Sequence, residues 1–404
     1  MTSYVLKAAT VVPGTGEDAL ADHAIVVQDA RIAWVGPTAE APHPEGAVVL
    51  DAGGRCVLPG LIDAHVHLCH DGSPDLFAQA RDDSVPVATI RCVANLTASL
   101  AAGITTVRDC GSAAGVALQV ARAIEAGMLA GPRVLAAGRV ITMTGGHGHF
   151  IGIEADGPDA VRRAVRSELK SGAHLVKLIA TGGVLTPGVE PGQTALAPDE
   201  LVTAVNEAHN AGRRVACHAI GAEGICNALR AGVDTIEHGN YIDERGIELA
   251  LEREAFLIPT FVAPRAALGT VGHGDSARKA RELIAVHRDN FAKAYEAGVH
   301  VAAGTDAGTP FNPHGGLVRE LALMVDACMS PMEAIRGATL GAAEALGVQS
   351  ELGSLEVGKI ADLIVADGDP LRRIDDLGTP TLVMQAGEVH VDTLSAMPAR
   401  PTRA

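Results

Sequence analysis

The chain has few aromatic residues, with six Phe, three Tyr and one Trp among 404 residues. It also lacks an apolar run close to the roughly 20 residues that a membrane-spanning helix needs. With 48% hydrophobic and 20% charged residues, the composition excludes a disordered chain and predicts a soluble globular protein. Small aliphatic side chains must therefore fill most of the interior, which suits helices packed closely on a parallel sheet.

Positive charge is also scarce, since 32 Lys and Arg face 48 Asp and Glu, a net charge of -16. Nucleic acids and anionic membranes bind clustered cations, so neither is expected as a partner. The first 14 residues contain one lysine and no apolar stretch of signal-peptide length, which predicts a cytoplasmic protein. Seven cysteines without a C-x-x-C pair predict reduced, mostly buried thiols.

Both ends of the chain consist of short β-like runs separated by turns. Residues 4–57 predict a small antiparallel sheet, and the same pattern of short β-like runs and turns returns after residue 352. Neither end alone has enough strands for a stable sheet with one buried face. We therefore expect the two ends to pack together as one discontinuous domain, followed by a poorly ordered tail over the last dozen residues.

The middle of the chain alternates short apolar runs with amphipathic helical stretches, which is typical of a parallel sheet with crossover helices. The predicted strands are residues 61–68, 105–110, 133–138, 175–180, 213–219, 235–239, 256–261 and 301–306. The predicted helices are residues 87–102, 115–126, 159–171, 198–211, 222–231, 276–297 and 331–345. Eight such units favour a closed (β/α)8 barrel, in which functional residues gather at the carboxyl ends of the strands.

Polar residues that can bind metal occur at the ends of five of these predicted strands. They are His65 and His67, Lys177, His218, His238 and Asp306. Each has a structural alternative, because a strand-end histidine can be a hydrogen-bonded core residue and an aspartate can cap a turn. His65 and His67, two apart in a strand, would point to the same face. All six residues are expected at the same mouth of the predicted barrel, and this combination favours a metal centre.

Lys177 indicates which kind of metal centre this is. A buried ammonium is costly and cannot ligate a cation, but addition of carbon dioxide makes a carbamate that can bridge two ions. His65, His67 and Asp306 would then hold one ion, and His218 and His238 the other. Imidazole and carboxylate ligands make zinc the default metal, with manganese and cobalt as alternatives. A metal-bridging hydroxide would attack an amide carbonyl, with Asp306 as general base and then general acid.

These motifs resemble those of the amidohydrolase superfamily in its binuclear form with a carboxylated lysine. The matching segments are residues 59–67 (PGLIDAHVH), 216–219 (ACHA), 236–239 (IEHG) and 303–306 (AGTD), with 358–364 (GKIADLI) resembling the return to a β-sandwich. The resemblance implies a (β/α)8 TIM barrel over residues 59–350. It also implies a small discontinuous β-sandwich from residues 1–58 and 351–404.

Three loops are similar to those of the imidazolonepropionase-related group, which includes Xaa-Pro dipeptidases, carboxypeptidase-like enzymes and ochratoxin-type amide hydrolases. The loops are residues 144–148, 177–183 and 238–243. The resemblance implies a small substrate in which an amide joins an amino acid with a free carboxylate, and it implies a homo-oligomer. His147 in a glycine-rich loop and Tyr241 after His238 are the predicted substrate-binding residues, as hydrogen-bond donors to a carboxylate or an oxyanion.

Other residues and functions stay open at this stage. Arg108 and Asp109 could orient ligands, bind substrate or pair with each other. His149 could be an exposed loop residue, and residues 181–197 could cover the substrate or be merely mobile. A cyclic amide or imidazolone-type hydrolase is the alternative enzyme. A barrel that has lost catalysis and serves as an assembly protein is the alternative outside enzymes, although such a protein would be expected to lack ligand residues.

Overall fold

The computed structural model describes residues 2–8, 10–269 and 274–394 as an α/β structure. Seven short strands come first: β1 (Tyr4–Lys7), β2 (Thr10–Val11), β3 (Leu20–Ala21), β4 (His23–Gln28), β5 (Arg31–Pro37), β6 (Val48–Asp51) and β7 (Cys56–Pro59). The predicted tail falls almost entirely on residues 395–404, which lie outside the described residues.

Strands and helices then alternate along the chain. The strands are β8 (Leu61–Val66), β9 (Ile104–Asp109), β10 (Arg133–Ala136), β11 (Val140–Thr142), β12 (Gly152–Glu154), β13 (Leu175–Ile179), β14 (Arg214–Ala219), β15 (Thr235–His238), β16 (Phe256–Ile258) and β17 (His300–Val301). The helices are α1 (Leu76–Asp82), α2 (Val85–Ala101), α3 (Val116–Glu125), α4 (Pro158–Lys170), α5 (Pro198–Asn210), α6 (Ala222–Ala231), α7 (Glu244–Glu252), α8 (Val262–Ala267), α9 (Gly274–Glu296), α10 (Leu317–Ala327), α11 (Pro331–Gly337) and α12 (Leu340–Leu346).

Three strands close the described chain and join strands from its beginning. They are β18 (Leu363–Ala366), β19 (Leu382–Gln385) and β20 (Glu388–Asp392). One sheet has the order β5-β4-β1-β6, and a second has the order β20-β19-β18-β7-β2-β3. One buried hydrophobic cluster includes Leu6 and Ile25 from the first sheet and Val57 and Leu363 from the second. The two chain ends therefore share a core.

The expectation of an antiparallel sheet at the beginning of the chain is wrong in part. β1 pairs with β4 in antiparallel fashion but with β6 in parallel fashion. β2 also pairs with β7 in parallel fashion. The reason is connectivity: residues 38–47 carry the chain from β5 across to the free edge of β1, so β6 does not form a hairpin with β5.

Seven of the eight predicted strands of the middle region are present, the eighth overlaps β17 only at Val301, and the strands belong to two parallel sheets. Their orders are β10-β9-β8 and β12-β11-β13-β14-β15-β16-β17. The last strand is much shorter than predicted and ends at Val301. Beyond it, the Ala64 amide bonds the Ala303 carbonyl at 3.0 Å, and the Asp306 amide bonds the His65 carbonyl at 2.8 Å. Residues 302–307 are thus held beside β8 without regular ladder geometry.

The single helix predicted over residues 331–345 is wrong, because the structure has α11 and α12 there. Two amides from outside the helices bond carbonyls at the break: Ile62 N of β8 bonds Ala338 O, and Ala303 N bonds Gly337 O, each at 2.8 Å. Thr339 also turns its hydroxyl back to the Ile335 carbonyl at 2.7 Å. Helices α1, α7, α8 and α10 were not predicted.

The interior agrees with the expectation of small aliphatic packing. The largest buried cluster lies among the parallel strands and their helices and is rich in Ala, Val and Leu. All seven cysteines are free, and six of them are buried, as predicted. Among the described residues, no helix combines the length and apolar character that a membrane span requires.

Candidate metal centre

The six predicted ligand residues lie around one cavity with about 920 Å³ of empty space. Each comes from a parallel strand or from the residues that follow it, where ligand sites of α/β sheets are expected. β8 carries His65, with His67 just after it; β13 carries Lys177, β14 His218 and β15 His238, and Asp306 follows β17. The structure thus brings together residues that are up to 241 positions apart in the chain, from His65 to Asp306.

His65, His67 and Asp306 form the first part of the site. The Asp306 Oδ1 atom lies 3.5 Å from His65 Nε2 and 3.3 Å from His67 Nε2. Ligand atoms of all three residues lie within 4.8 Å of one another. Two imidazole nitrogens and one carboxylate oxygen are donors that divalent zinc accepts readily. This group therefore fits one divalent cation.

His218 and His238 form the second part. Their ring centroids are 4.6 Å apart and their planes cross at 70°. The ring of His238 is also 5.3 Å from that of His65, centroid to centroid. The second pair is therefore adjacent to the first group, and all four imidazoles belong to one cluster.

Each of these four imidazoles uses one ring nitrogen in a protein contact. The contacts are His65 Nδ1 with Glu237 Oε2 at 2.7 Å, His67 Nδ1 with the Gly111 carbonyl at 2.9 Å, His238 Nδ1 with Thr260 Oγ1 at 2.7 Å and His218 Nε2 with the Gly182 carbonyl at 2.9 Å. Such partners fix the tautomer and the ring orientation of metal-binding histidines. The opposite ring nitrogen of each is the one that would bind a cation; in His65 and His67 it is Nε2, which faces Asp306 Oδ1.

The charge states of three of the four histidines agree with this arrangement. Burial lowers the pKa of His65, His218 and His238 well below its ordinary value, and neighbouring positive groups including Lys177 lower it further. Burial also opposes protonation of His67, but the Asp306 carboxylate outweighs burial and raises the pKa of His67. Neutral imidazole is the form that ligates metals.

Lys177 is the residue whose environment most needs explanation. Its side chain is among the largest fully buried ones, and its Nζ makes no hydrogen bond to any residue in the part of the chain that the structure describes. An ammonium in that position would lose its hydration without gaining a hydrogen bond, at a cost of several kcal/mol. A carbamate between two cations would remove the conflict, because it is an anion surrounded by positive charge. The residues present therefore fit a binuclear metal group.

The backbone is strained around the same cavity. His238, Thr260 and Asp306 adopt left-handed φ angles of 74°, 50° and 58°. Such a conformation costs a non-glycine residue about 1–3 kcal/mol and persists only where the surroundings hold it. Here the holding contacts include the Thr260–His238 side-chain bond and the Asp306–His65 backbone bond. Two of these strained residues, His238 and Asp306, are predicted ligands that line the cavity.

Glu237 is a buried carboxylate in contact with one of the predicted ligands, His65. The sequence did not predict this role. The carboxylate is fully buried, and its Oε1 accepts from Arg108 Nη2 at 2.7 Å while Oε2 contacts His65. Burial raises the pKa of Glu237, but the charges of Arg108 and Lys177 outweigh burial and leave that pKa below its ordinary value.

The alternative in which Arg108 pairs with Asp109 is wrong. Asp109 instead accepts from Ser112 Oγ at 2.7 Å.

We predict that Glu237→Gln weakens both metal binding and folding. An amide cannot accept from Arg108 and His65 at once, and Arg108 would stay buried without a counter-charge, which costs about 3–5 kcal/mol. Loss of a carboxylate behind a ligating histidine typically weakens metal binding about 10–100-fold. Urea unfolding and competition with a chelator measure the two effects. Glu207→Gln is the control, since Glu207 pairs with the exposed Arg166. Unchanged chelator competition would contradict the role of Glu237.

His147 lines the cavity as predicted for a substrate-binding residue. Its Nδ1 lies 2.8 Å from Thr186 Oγ1, and its ring centroid is 4.5 Å from that of His218. Burial lowers the pKa of His147 to about 3, helped by the nearby His67 and Lys177. His147 is therefore a neutral imidazole beside the ligand cluster, able to donate one hydrogen bond.

The structure does not place Tyr241 or His149 in the cavity lining. Burial raises the pKa of Tyr241, and the carboxylates of Glu282 and Glu190 raise it further, so its phenol lies toward acidic groups. His149 is exposed, with Nδ1 2.9 Å from the Gly146 carbonyl. Of the two predicted substrate donors, only His147 reaches the cavity.

The glycine-rich loop after β13 covers part of the cavity, because Val184 and Leu185 line it. Lys279 of α9 holds this loop: its buried Nζ donates to the Val189 carbonyl at 2.9 Å and to the Thr186 carbonyl at 3.2 Å. Thr186 in turn contacts His147. Lys279 thereby connects a long helix to a residue of the cavity wall.

We predict that Lys279→Met loosens the covering loop. Two buried carbonyls lose their donor, and each unsatisfied buried group costs about 1–3 kcal/mol. Limited proteolysis should cut between residues 182 and 193 faster than in the unaltered protein, and the melting temperature should fall. Lys293→Met, on the exposed side of the same helix, is the matched control. Equal cleavage rates in the two variants would contradict this role of Lys279.

Several lining residues were missed by sequence analysis. His70, Asn240 and Thr260 all contribute to the cavity wall. Asn240 lies just beyond a predicted strand end, so its position was a usable signal. His70 lies in a loop whose path depends on tertiary contacts, such as the bond between its carbonyl and His314 Nε2 at 2.9 Å.

Comparisons with known proteins show a matching family and several similar proteins. Residues 56–392 match the model of the amidohydrolase family. The ochratoxinase of Aspergillus niger is 32% identical over 416 residues, covering 94% of this chain and 84% of the relative. The imidazolonepropionase of Micrococcus luteus is 29% identical, covering 86% of this chain and 88% of the relative.

A solved structure is similar over the same extent. It is a prolidase complexed with N-methylphosphonate-L-proline, with a TM-score of 0.90 and 32% sequence identity. The similarity covers 97% of this chain and 100% of the prolidase chain. The similar architecture therefore extends over the terminal sheets as well as the two parallel sheets.

Proposed function

Because this chain belongs to the amidohydrolase family and is a hydrolytic enzyme for amide bonds, we propose that it cleaves an amide to an amino acid with a free carboxylate. The substrate classes are Xaa-Pro dipeptides, N-acyl amino acids and ochratoxin-like amides. The observation that carries this proposal is the buried Lys177, whose Nζ has no hydrogen-bond partner among the described residues, amid four imidazoles and Asp306. The similar ochratoxinase and prolidase support the substrate class.

We propose that the site holds two divalent metal ions, zinc by preference. His65, His67 and Asp306 would bind one, His218 and His238 the other, and Lys177 would bridge them as a carbamate. When bound, such ions lower the pKa of water toward neutrality and polarise the carbonyl that is attacked. The choice of zinc follows from the nitrogen and oxygen donors.

The side chains of this chain then provide proton transfer and positioning. Asp306 takes a proton from the attacking water and delivers it to the leaving nitrogen, as a base and then an acid. His147 donates a hydrogen bond to the substrate carboxylate or to the oxygen that becomes negative during attack. Val184 and Leu185 cover the site and limit the access of bulk water.

The wider architecture is also proposed in finer detail. The two parallel sheets would be arcs of one (β/α)8 barrel over residues 59–350, and the terminal sheets would form a β-sandwich from residues 1–58 and 351–404. The bonds that residues 302–307 make to β8, together with the core that the chain ends share, support this description. We propose that the protein is a cytoplasmic homo-oligomer. Sedimentation can measure its oligomeric state.

A cyclic amide or imidazolone-type hydrolase is the second candidate, favoured by the similar imidazolonepropionase. The two candidates differ in their products, since opening a ring releases no second molecule. The alternative of an assembly protein without catalysis is wrong, because the family assignment and the relatives identify a hydrolytic enzyme.

A substrate screen tests the proposal. The zinc-loaded enzyme is incubated with Xaa-Pro dipeptides, N-acyl amino acids and cyclic imides, and free amino acid, ammonia and ring opening are measured separately. Release of a free amino acid from one of the acyclic amides is the expected result. Turnover confined to cyclic substrates would overturn it in favour of the second candidate.

A further inference from the structure

One of the six phenylalanines, Phe150, lies in the wall of the cavity, and a second, Phe77, packs against it outside that wall. Phe150 follows β11 and lines the cavity, and Phe77 of α1 lies against it, with ring centroids 4.6 Å apart and planes at 58°. Both rings are half-buried. By contrast, Phe256, Phe261 and Phe291 are buried. A chain with so few aromatic residues thus leaves an aromatic pair partly open at its proposed active site.

Phe150 lies between the main cavity and a second cavity nearer the protein surface. The second, smaller cavity is lined by Phe77, Ala80, Arg81 and Phe150, so Phe150 belongs to both walls. Ring edges of His70 and His149 approach Phe150, with centroids at 6.4 Å and 5.9 Å. These neighbours hold the Phe150 ring by edge contacts, the arrangement that aromatic rings favour.

The surroundings of this pair carry little free charge. Of the residues lining the main cavity in the described ranges, Lys177 and Asp306 are the only Lys, Arg, Asp or Glu, and both belong to the proposed metal centre. Leu76 and Ile151 border Phe150 on the cavity side. Arg81, in the wall of the second cavity, donates from Nε to Asp82 Oδ1 and from Nη2 to Asp82 Oδ2, each at 2.7 Å. A group bound against the main-cavity side of Phe150 would therefore meet mostly apolar side chains, and the charged Arg81 lies on the other side, in the wall of the second cavity.

We propose that Phe77 and Phe150 form an aromatic shelf that binds a neutral, planar ring system of the substrate, on the side away from the cleaved amide. This inference rests on the proposed function, because it identifies which amides the site prefers. Ring contacts in offset or edge-on geometry add binding energy beyond simple burial. An apolar wall excludes a charged group in the same place, since it would leave that group without hydration or partner.

The test compares two amides of the same amino acid that differ only in the acyl group, 2-naphthoyl or acetyl. Unaltered enzyme should show kcat/KM at least about tenfold higher for the naphthoyl amide. Phe150→Leu and Phe77→Leu should each reduce that ratio about 3- to 10-fold, mainly through KM, in line with the energy of an aromatic contact. The acetyl amide should change less than about twofold. Phe311→Leu, which removes an exposed ring that does not line either cavity, is the matched control.

A binding measurement keeps the shelf testable apart from hydrolysis. Titration calorimetry with 2-naphthamide should show binding that either shelf substitution weakens and Phe311→Leu does not. If neither these amides nor the acyclic amides of the substrate screen are hydrolysed but this binding pattern holds, the proposed function fails and the shelf stands. Equal kcat/KM for the two amides, or equal losses in all three variants, would overturn the shelf. Circular dichroism melting confirms that each variant is folded.

Discussion

Lys177→Ala is expected to reduce kcat/KM by more than about 10³-fold, beyond the loss that removal of one transition-state donor causes. The reason is that the substitution removes the proposed bridge between two cations, so the metal content should fall with the activity. Metal analysis of the purified variant, together with kcat/KM on the best substrate of the screen, measures both. Activity close to that of the unaltered enzyme would contradict the proposed centre.

Lys177→Met separates loss of the bridge from loss of packing. Alanine would leave a hole in a buried strand, which costs about 2–5 kcal/mol by analogy with Leu→Ala changes. Methionine refills that space without an unpaired cation, so the metal-free Met variant should be at least as stable as the metal-free unaltered protein. Both variants should be inactive. An active Met variant would show that the lysine nitrogen is not needed.

The carbamate itself can be tested by controlling carbon dioxide. Metal-free enzyme should recover little activity when zinc is added in buffer depleted of carbon dioxide, and much more when bicarbonate is added as well. Lys177→Met should show no response to bicarbonate. Full recovery without bicarbonate would overturn the carbamate while leaving the histidine ligands untouched.

The cluster of candidate ligand residues could be predicted from the sequence because its members obey simple local rules. His65 and His67 are two apart in an apolar strand, which places them on one face. Lys177 interrupts a buried run in which a charge is costly. His218 and His238 end their strands, so the carboxyl edge of the parallel sheet collects them.

The supporting residues could not be predicted because their contacts depend on distant parts of the chain. Glu237 reaches His65 across 172 positions and Arg108 across 129. In the sequence it is only an acidic residue beside a histidine. Tyr241 is the opposite case, because it was predicted to bind substrate from its nearness to His238 in the sequence. Its ring does not line the cavity. The break between α11 and α12 likewise follows from amides of β8 and of residue 303 that bond carbonyls there.

Asp306→Asn is expected to reduce kcat by about 10²–10⁴-fold while at least one metal ion stays bound. Asparagine keeps an oxygen that can ligate beside His65 and His67, but it cannot accept and return a proton, and a positioned acid-base group contributes about that factor. Steady-state kinetics and metal analysis on the same sample test the two halves of this expectation. Loss of all metal would assign Asp306 a binding role alone.

The leaving group distinguishes proton transfer from a general disturbance of the site. Asp306 is proposed to protonate the nitrogen that departs, and an oxygen leaving group needs less help from an acid. Asp306→Asn should therefore impair an amide far more than the matching ester, in which oxygen replaces that nitrogen. Glu237→Gln, which acts through His65 and metal binding, should impair both substrates by the same factor. Equal losses on amide and ester in Asp306→Asn would show that this carboxylate does not carry the proton to the leaving group.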